Sequence, residues 1–179
     1  MTYDTDMDII ALSPFEPNPM FATTEDSDTI RRFTTLLDCG AVGGGSHHLR
    51  KVANTEGETF ALKTLWPLSG CDENGSAVSP SGIKTLTEEY RNLAAVSLWG
   101  GFPKTYGYGY TGSVPAILME WIEGLPLRDA VAELTDPAEG GRIPANTVAA
   151  IGKRLGEILL SAQKLDVPFV HRDISLRNI

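Results

Sequence analysis

The 179 residues carry 15 Lys and Arg against 23 Asp and Glu, a net charge of −8, and 42% are hydrophobic, which suits one ordinary globular core. An acidic balance with no basic cluster beyond His47 to Lys51 argues against a nucleic-acid partner. Cys39 and Cys71 stand far apart and outside any Cys-x-x-Cys spacing, and there is neither a basic leader nor an apolar run approaching about 18 residues, so a cytoplasmic chain without zinc site, disulfide framework or membrane span is expected.

Residues 1–30 hold Asp4, Asp6, Asp8, Glu16, Glu25, Asp26 and Asp28, three prolines and no Lys or Arg, and read as an acidic, disordered leader. Phe33 to Cys39 and His47 to Ala53 suit extended chain, and the Gly-rich stretch Gly40, Gly43, Gly44 and Gly45 between them predicts a tight hairpin. After the turn residues Asn54 to Gly57, Thr59 to Leu65 reads as a third strand. Period-two alternation puts Phe60, Leu62 and Thr64 on one face and Ala61, Lys63 and Leu65 on the other.

Ser69 to Gly82 reads as an exposed loop, and Ile83 to Leu98 as a helix with Leu86, Glu89, Tyr90, Leu93 and Val96 on one face. Glu89 falls on that apolar stripe and Glu88 does not. Lys104 to Tyr110 and Val114 to Ile122 predict two more strands around Thr111-Gly112-Ser113, with Glu123 to Pro126 as a break. Leu127 to Leu134 is a short helix. Asn146 can cap a longer one with Val148, Ile151, Leu155, Ile158, Leu159 and Ala162 along one face, ending at Pro168. No repeat of solenoid or propeller period is present.

Two constellations carry chemistry. A Lys on a strand face shared with apolar neighbours and a Glu on a helix's apolar stripe would each be costly alone, so Lys63 and Glu89 explain each other as a pair. Near the end of the chain, His171-Arg172-Asp173-Ile174-Ser175-Leu176-Arg177-Asn178 follows an amphipathic helix and a short apolar run. Its spacing resembles the His-Arg-Asp-x-x-x-x-Asn catalytic loop of the protein-kinase superfamily, and Ala61-Leu62-Lys63 resembles that family's Val-Ala-Ile-Lys strand. The likeness runs from about Thr34 to Ile179 with the motifs in order.

The resemblance implies an α+β, protein kinase-like fold. A five-stranded antiparallel N-lobe sheet with one helix would span 31–122, and an incomplete helical C-lobe would span 123–179. It further implies ATP and Mg²⁺ as cofactors, with Asp173 accepting the proton of the acceptor hydroxyl, Asn178 holding the metal, and Lys63, steadied by Glu89, contacting phosphates. Gly40, Gly43, Gly44 and Gly45 match the phosphate-covering loop inexactly, because Val42 takes a glycine position. Ala61 and Met119 would flank the adenine pocket, with the Glu120 carbonyl and Ile122 amide at its edge. Ser175 stands where many serine/threonine kinases have Lys, and Arg177 is similar to the Ala-Ala-Arg-Asn form of tyrosine kinases, offering positive charge instead. The acceptor is then a protein hydroxyl, Ser or Thr ahead of Tyr.

The sequence stops at Ile179 before any Asp-Phe-Gly metal site, so by the resemblance it is an N-terminal fragment expected to be inactive alone. The apolar face of the last helix would need the missing lobe or a partner to cover it. Two other readings share these residues: a small-molecule phosphotransferase of the aminoglycoside or choline kinase type, against which Arg172 argues, and a pseudokinase-like module that binds nucleotide or a partner without transfer.

Overall fold

The computed structural model describes residues 9–21, 31–42, 47–65, 79–165, 169, 171 and 173–179. Its elements are β1 (Ile9–Leu12), β2 (Phe15–Pro17), β3 (Arg31–Val42), β4 (His47–Ala53), β5 (Thr59–Leu65), α1 (Pro80–Val96), β6 (Thr105–Thr111), β7 (Val114–Glu120), α2 (Leu127–Leu134), a 3-10 turn (Pro137–Glu139) and α3 (Ala145–Ala162). They divide into two compact units. The first comprises 1–97 and 103–122, and the second 98–102 and 123–179.

All seven strands of the first unit form one antiparallel sheet in the order β1-β3-β4-β5-β7-β6-β2. The two edge strands are consecutive in the chain, joined only by Ser13 and the cis-linked Pro14. A flat seven-stranded sheet would hold its edges about 29 Å apart, whereas the three residue steps from Leu12 to Phe15 reach about 11 Å at most. The sheet therefore curls until its edges meet as a nearly closed barrel, and the corner is sewn to β6 by Ser13 N–H to the Tyr110 carbonyl (2.8 Å) and Tyr110 N–H to the Pro14 carbonyl (3.2 Å).

One face of the curled sheet packs Ile10, Leu12, Phe15, Phe33, Val52, Leu62, Ala116 and Leu118 together, with Phe60 and Tyr106 against them in edge-on aromatic contact. Gly107 and Gly109 on β6 make room for β2. A Cβ at Gly107 would meet the Phe15 ring at 2.3 Å, and one at Gly109 the Pro14 carbonyl oxygen at 2.8 Å. Buried Asn18 locks the end of β2 by donating its side-chain amide to the Thr105 carbonyl (2.7 Å) and its backbone N–H to that of Tyr106 (2.8 Å). The opposite face carries Leu65, Tyr108 and Ile117 and receives α1 through Leu86, Ile83 and Tyr90. Thr87 and Tyr108 share a hydroxyl hydrogen bond of 3.1 Å, and burial pushes the Tyr108 phenol up to about 12.

These observations correct the expected fold class. Among the described residues the sheet has seven strands rather than five and closes almost into a barrel, with three α-helices, in place of a five-stranded kinase N-lobe and a helical C-lobe. The two additional strands come from the acidic leader, where Ile10 and Leu12 alternate inward and Ile9 and Ala11 outward. Four- and three-residue strands between acidic and proline-rich flanks carry too little periodicity to stand out, and their stability comes from long-range pairing with β3 and β6.

Boundaries move as well. β3 runs on to Val42 through two bulges, so Gly40 lies inside the strand at φ 71 rather than in a loop, its N–H held by Asp38 Oδ1 at 2.8 Å. α1 starts at Pro80 because Ser79 Oγ accepts the Gly82 N–H and proline suits the first helical turn. The rest of the Ser69 to Gly82 loop lies outside the described residues, up to Val78. β7 stops at Glu120, and α3 begins at Ala145, ahead of the proposed Asn146 cap. No helix among the described residues is long and apolar enough to cross a membrane.

The Asp38 bulge also fixes a charge cluster, with Oδ1 on His48 Nε2 and Oδ2 3.5 Å from Arg50 Nε. The His48 hydrogen bond above all, helped by the Gly40 N–H and the charges of His48 and Arg50, holds the Asp38 carboxyl below its ordinary 3.8 although burial opposes it. A depressed carboxylate contributes stability that is present above 3.8 and lost as pH falls through its folded value. Asp38→Asn is expected to flatten that acid limb in urea denaturation measured against pH. Leu12 is fully buried, so Leu12→Ala is expected to cost about 2–5 kcal/mol in the same assay, whereas the change would be silent in a disordered leader.

Candidate functional site

One cluster grows from the middle of β5. Lys63 stands in register between Leu49 of β4 and Ile117 of β7, on the face that receives α1. Leu86 and Tyr90 seat the helix on that face, and Glu89 beside Tyr90 is thereby delivered to the strand. The result is a short ion pair, Lys63 Nζ to Glu89 Oε1 at 2.5 Å, with both side chains half-buried at 18% and 29% exposure. Pairing is what makes the position tolerable, because a lone ammonium among Leu49, Ile117 and Met119 would lose hydration without recompense.

Ala61, two residues before Lys63, is buried and lies in register with Met119 of β7 and Lys51 of β4. Lys51 in turn lies over the Trp121 ring, 5.0 Å from its centroid. Glu120 ends β7 tied to Lys104 by two hydrogen bonds. Its N–H donates to the Lys104 carbonyl (2.8 Å), and its Oε2 accepts the Lys104 N–H (3.1 Å). Ile122 is exposed. Lys63, Glu89, Ala61 and Met119 are thus gathered on one face of one unit. Gly40 sits in β3, while Gly43, Gly44 and Gly45 lie outside the described residues.

A separate cluster lies in the other unit. Asp173 and Asn178 are joined by the Asn178 side-chain amide, which donates to Asp173 Oδ2 (2.8 Å) and to the Asp173 carbonyl (2.9 Å). Asn178 N–H to the Ser175 carbonyl (2.9 Å) and Asp173 N–H to His171 Nδ1 (3.3 Å) close the turn. Asp173, Asn178 and Arg177 are exposed. Arg177 lends its charge to Asp129 of α2, whose carboxyl is held low first by its hydrogen bond from Arg128 and then by both guanidinium charges. Arg172 lies outside the described residues.

Sequence reasoning missed one feature of each cluster. The first backbone N–H groups of α2 have no side-chain cap, and they are taken by the 173–179 segment: Leu127 N–H by the Ile179 carbonyl (2.7 Å) and Arg128 N–H by the Leu176 carbonyl (2.8 Å). The second is His47, at the head of β4, whose Nε2 lies 3.9 Å from Glu89 Oε2. Only the hairpin register could have revealed it, because His47 shares the face of Leu49, the residue paired with Lys63.

Among the described residues no three His, Cys, Asp or Glu side chains gather to hold a metal by themselves. The donor set nevertheless fits a nucleotide-borne Mg²⁺. With its NH₂ committed to Asp173, exposed Asn178 keeps its amide oxygen as an acceptor, and Mg²⁺ is ordinarily held by one or two protein oxygens plus phosphates. No family model matches the chain, and no curated protein matches it.

A double-mutant cycle with Lys63→Met and Glu89→Gln, read by chemical denaturation, is expected to give a coupling energy of about 1–2 kcal/mol, between the values of exposed and buried pairs. A coupling near zero would mean that the two side chains are independent surface groups.

Proposed function

We propose that the protein binds MgATP and that its residues serve transfer of the γ-phosphoryl group to a hydroxyl of a protein acceptor, Ser or Thr ahead of Tyr. The observation that carries this reading is the Lys63–Glu89 pair at 2.5 Å, spanning β5 and α1 on a half-buried face. Such a pair supplies a positive charge held at a fixed place, which is what a polyphosphate chain needs.

In this reading Lys63 binds the α- and β-phosphate oxygens and Glu89 orients it. Asp173 takes the proton of the acceptor hydroxyl as its oxygen bonds to the γ-phosphorus and the bond from that phosphorus to the β,γ-bridging oxygen breaks. Asn178 keeps Asp173 in place through its NH₂ and offers its amide oxygen to Mg²⁺, which when bound neutralises phosphate charge. Arg177 adds positive charge beside the same turn.

Isothermal titration with MgATP tests the binding half. Lys63→Met is expected to weaken binding at least about tenfold, the scale of one charge-assisted contact, while Asp173→Asn retains it. With γ-labelled ATP and a generic protein acceptor, Asp173→Asn is expected to lower transfer by about 10²–10⁴, the usual worth of a general base. Equal MgATP binding by wild type and Lys63→Met overturns the reading, and binding without transfer leaves a nucleotide-binding module.

A further inference from the structure

We infer that His47 is a third, positioning member of the Lys63–Glu89 site, and that it gains a proton and bonds the second Glu89 oxygen when an anionic ligand engages Lys63, while the first oxygen stays on Lys63. The inference rests on the nucleotide-binding reading for its ligand but not for its geometry. Glu89 presents two oxygens to two different bases. Oε1 lies 2.5 Å from Lys63 Nζ and Oε2 lies 3.9 Å from His47 Nε2. The second separation is about 1 Å longer than a hydrogen bond, within reach of a small side-chain rotation.

The surroundings set the order in which the two bases hold the acid. The His47 side chain is only 14% exposed. Lys63 from β5 and Glu89 from α1 are charged groups that act on it, and its register partners on β5 and β3 are the uncharged Leu65 and Val42. Burial first and the Lys63 charge second hold the imidazole below its ordinary 6.5, while Glu89 pulls the other way. At neutral pH without ligand, His47 is therefore uncharged and Lys63 keeps Glu89.

A polyphosphate that pairs with Lys63 removes the cationic opposition and leaves the attraction of Glu89. His47 then takes a proton from the buffer and becomes a hydrogen-bonding partner for Glu89 Oε2. Glu89 is then held at both oxygens, by Lys63 at Oε1 and by His47 at Oε2, and keeps Lys63 in place while part of its charge is shared with the phosphates. By linkage, ligand binding and proton uptake at His47 strengthen each other.

Two measurements test this. The first needs no ligand: the His47 imidazole is followed by NMR against pH in wild type, Lys63→Met and Glu89→Gln. Its midpoint is expected to rise in Lys63→Met and fall in Glu89→Gln, and a midpoint unmoved by both overturns the inference. In the second, MgATP titrations are run at and below pH 6.5 in buffers of different ionisation enthalpy. Wild type is expected to take up protons on binding, and His47→Gln and His47→Asn, each checked for wild-type NMR dispersion, are expected to lose that uptake. Binding without uptake, or uptake that survives both variants, overturns the inference. Loss of MgATP binding altogether with the NMR coupling intact would sink the nucleotide reading while the three-residue coupling stands.

Discussion

Along the sheet β1 and β2 stand at opposite edges, but along the chain only Ser13 and Pro14 lie between them. That short link cannot be satisfied by a flat sheet, and much else in the first unit follows from the curl it imposes. The concave face fills with Leu12, Phe15, Phe33 and Leu62 and becomes a core. The edges, which would otherwise offer unpaired N–H and C=O groups to other chains, are drawn together at Tyr110. With one face committed to that core, α1 can dock only on the other, over Leu65, Tyr108 and Ile117. The site is the part of this second face that side-chain packing leaves polar.

β5 shows how narrow the division is. Leu62 and Lys63 are neighbours in the chain, yet one is fully buried in the barrel core and the other carries a charge toward Glu89. A register slip of one residue would exchange them, driving an ammonium into the core and a leucine toward the helix. Pairing of β5 with both β4 and β7 over its length prevents such a slip. The chemistry of the site therefore depends on sheet register as much as on the ion pair.

What could be read from the sequence follows this same line. Thr59 to Leu65 and the helix bearing Leu86, Glu89 and Tyr90 are long enough for their periodicity to speak, and the pairing of Lys63 with Glu89 followed from the cost of leaving either alone. β1 and β2 were hidden because Asp and Pro crowd four- and three-residue strands whose reason for existing is their pairing with Thr34 and Gly109. Ser79-Pro80 did carry a helix-start signal, but it sat at the end of a Gly- and Ser-rich run that reads as loop. His47 belongs to no motif, since its role depends on which residue faces which across two strands and a helix.

The 173–179 turn illustrates a different kind of information, carried by backbone rather than side chains. A helix N-terminus with free N–H groups is a ready site for a phosphate, and α2 has no side-chain cap. In the structure its first four N–H groups are all taken: by the carbonyls of Ile179 and Leu176, and twice by that of Pro126. The positive end of this helix is thus spent on holding the turn that carries Asp173 and Asn178. α2 thereby fixes the backbone from which Asn178 reaches back to Asp173.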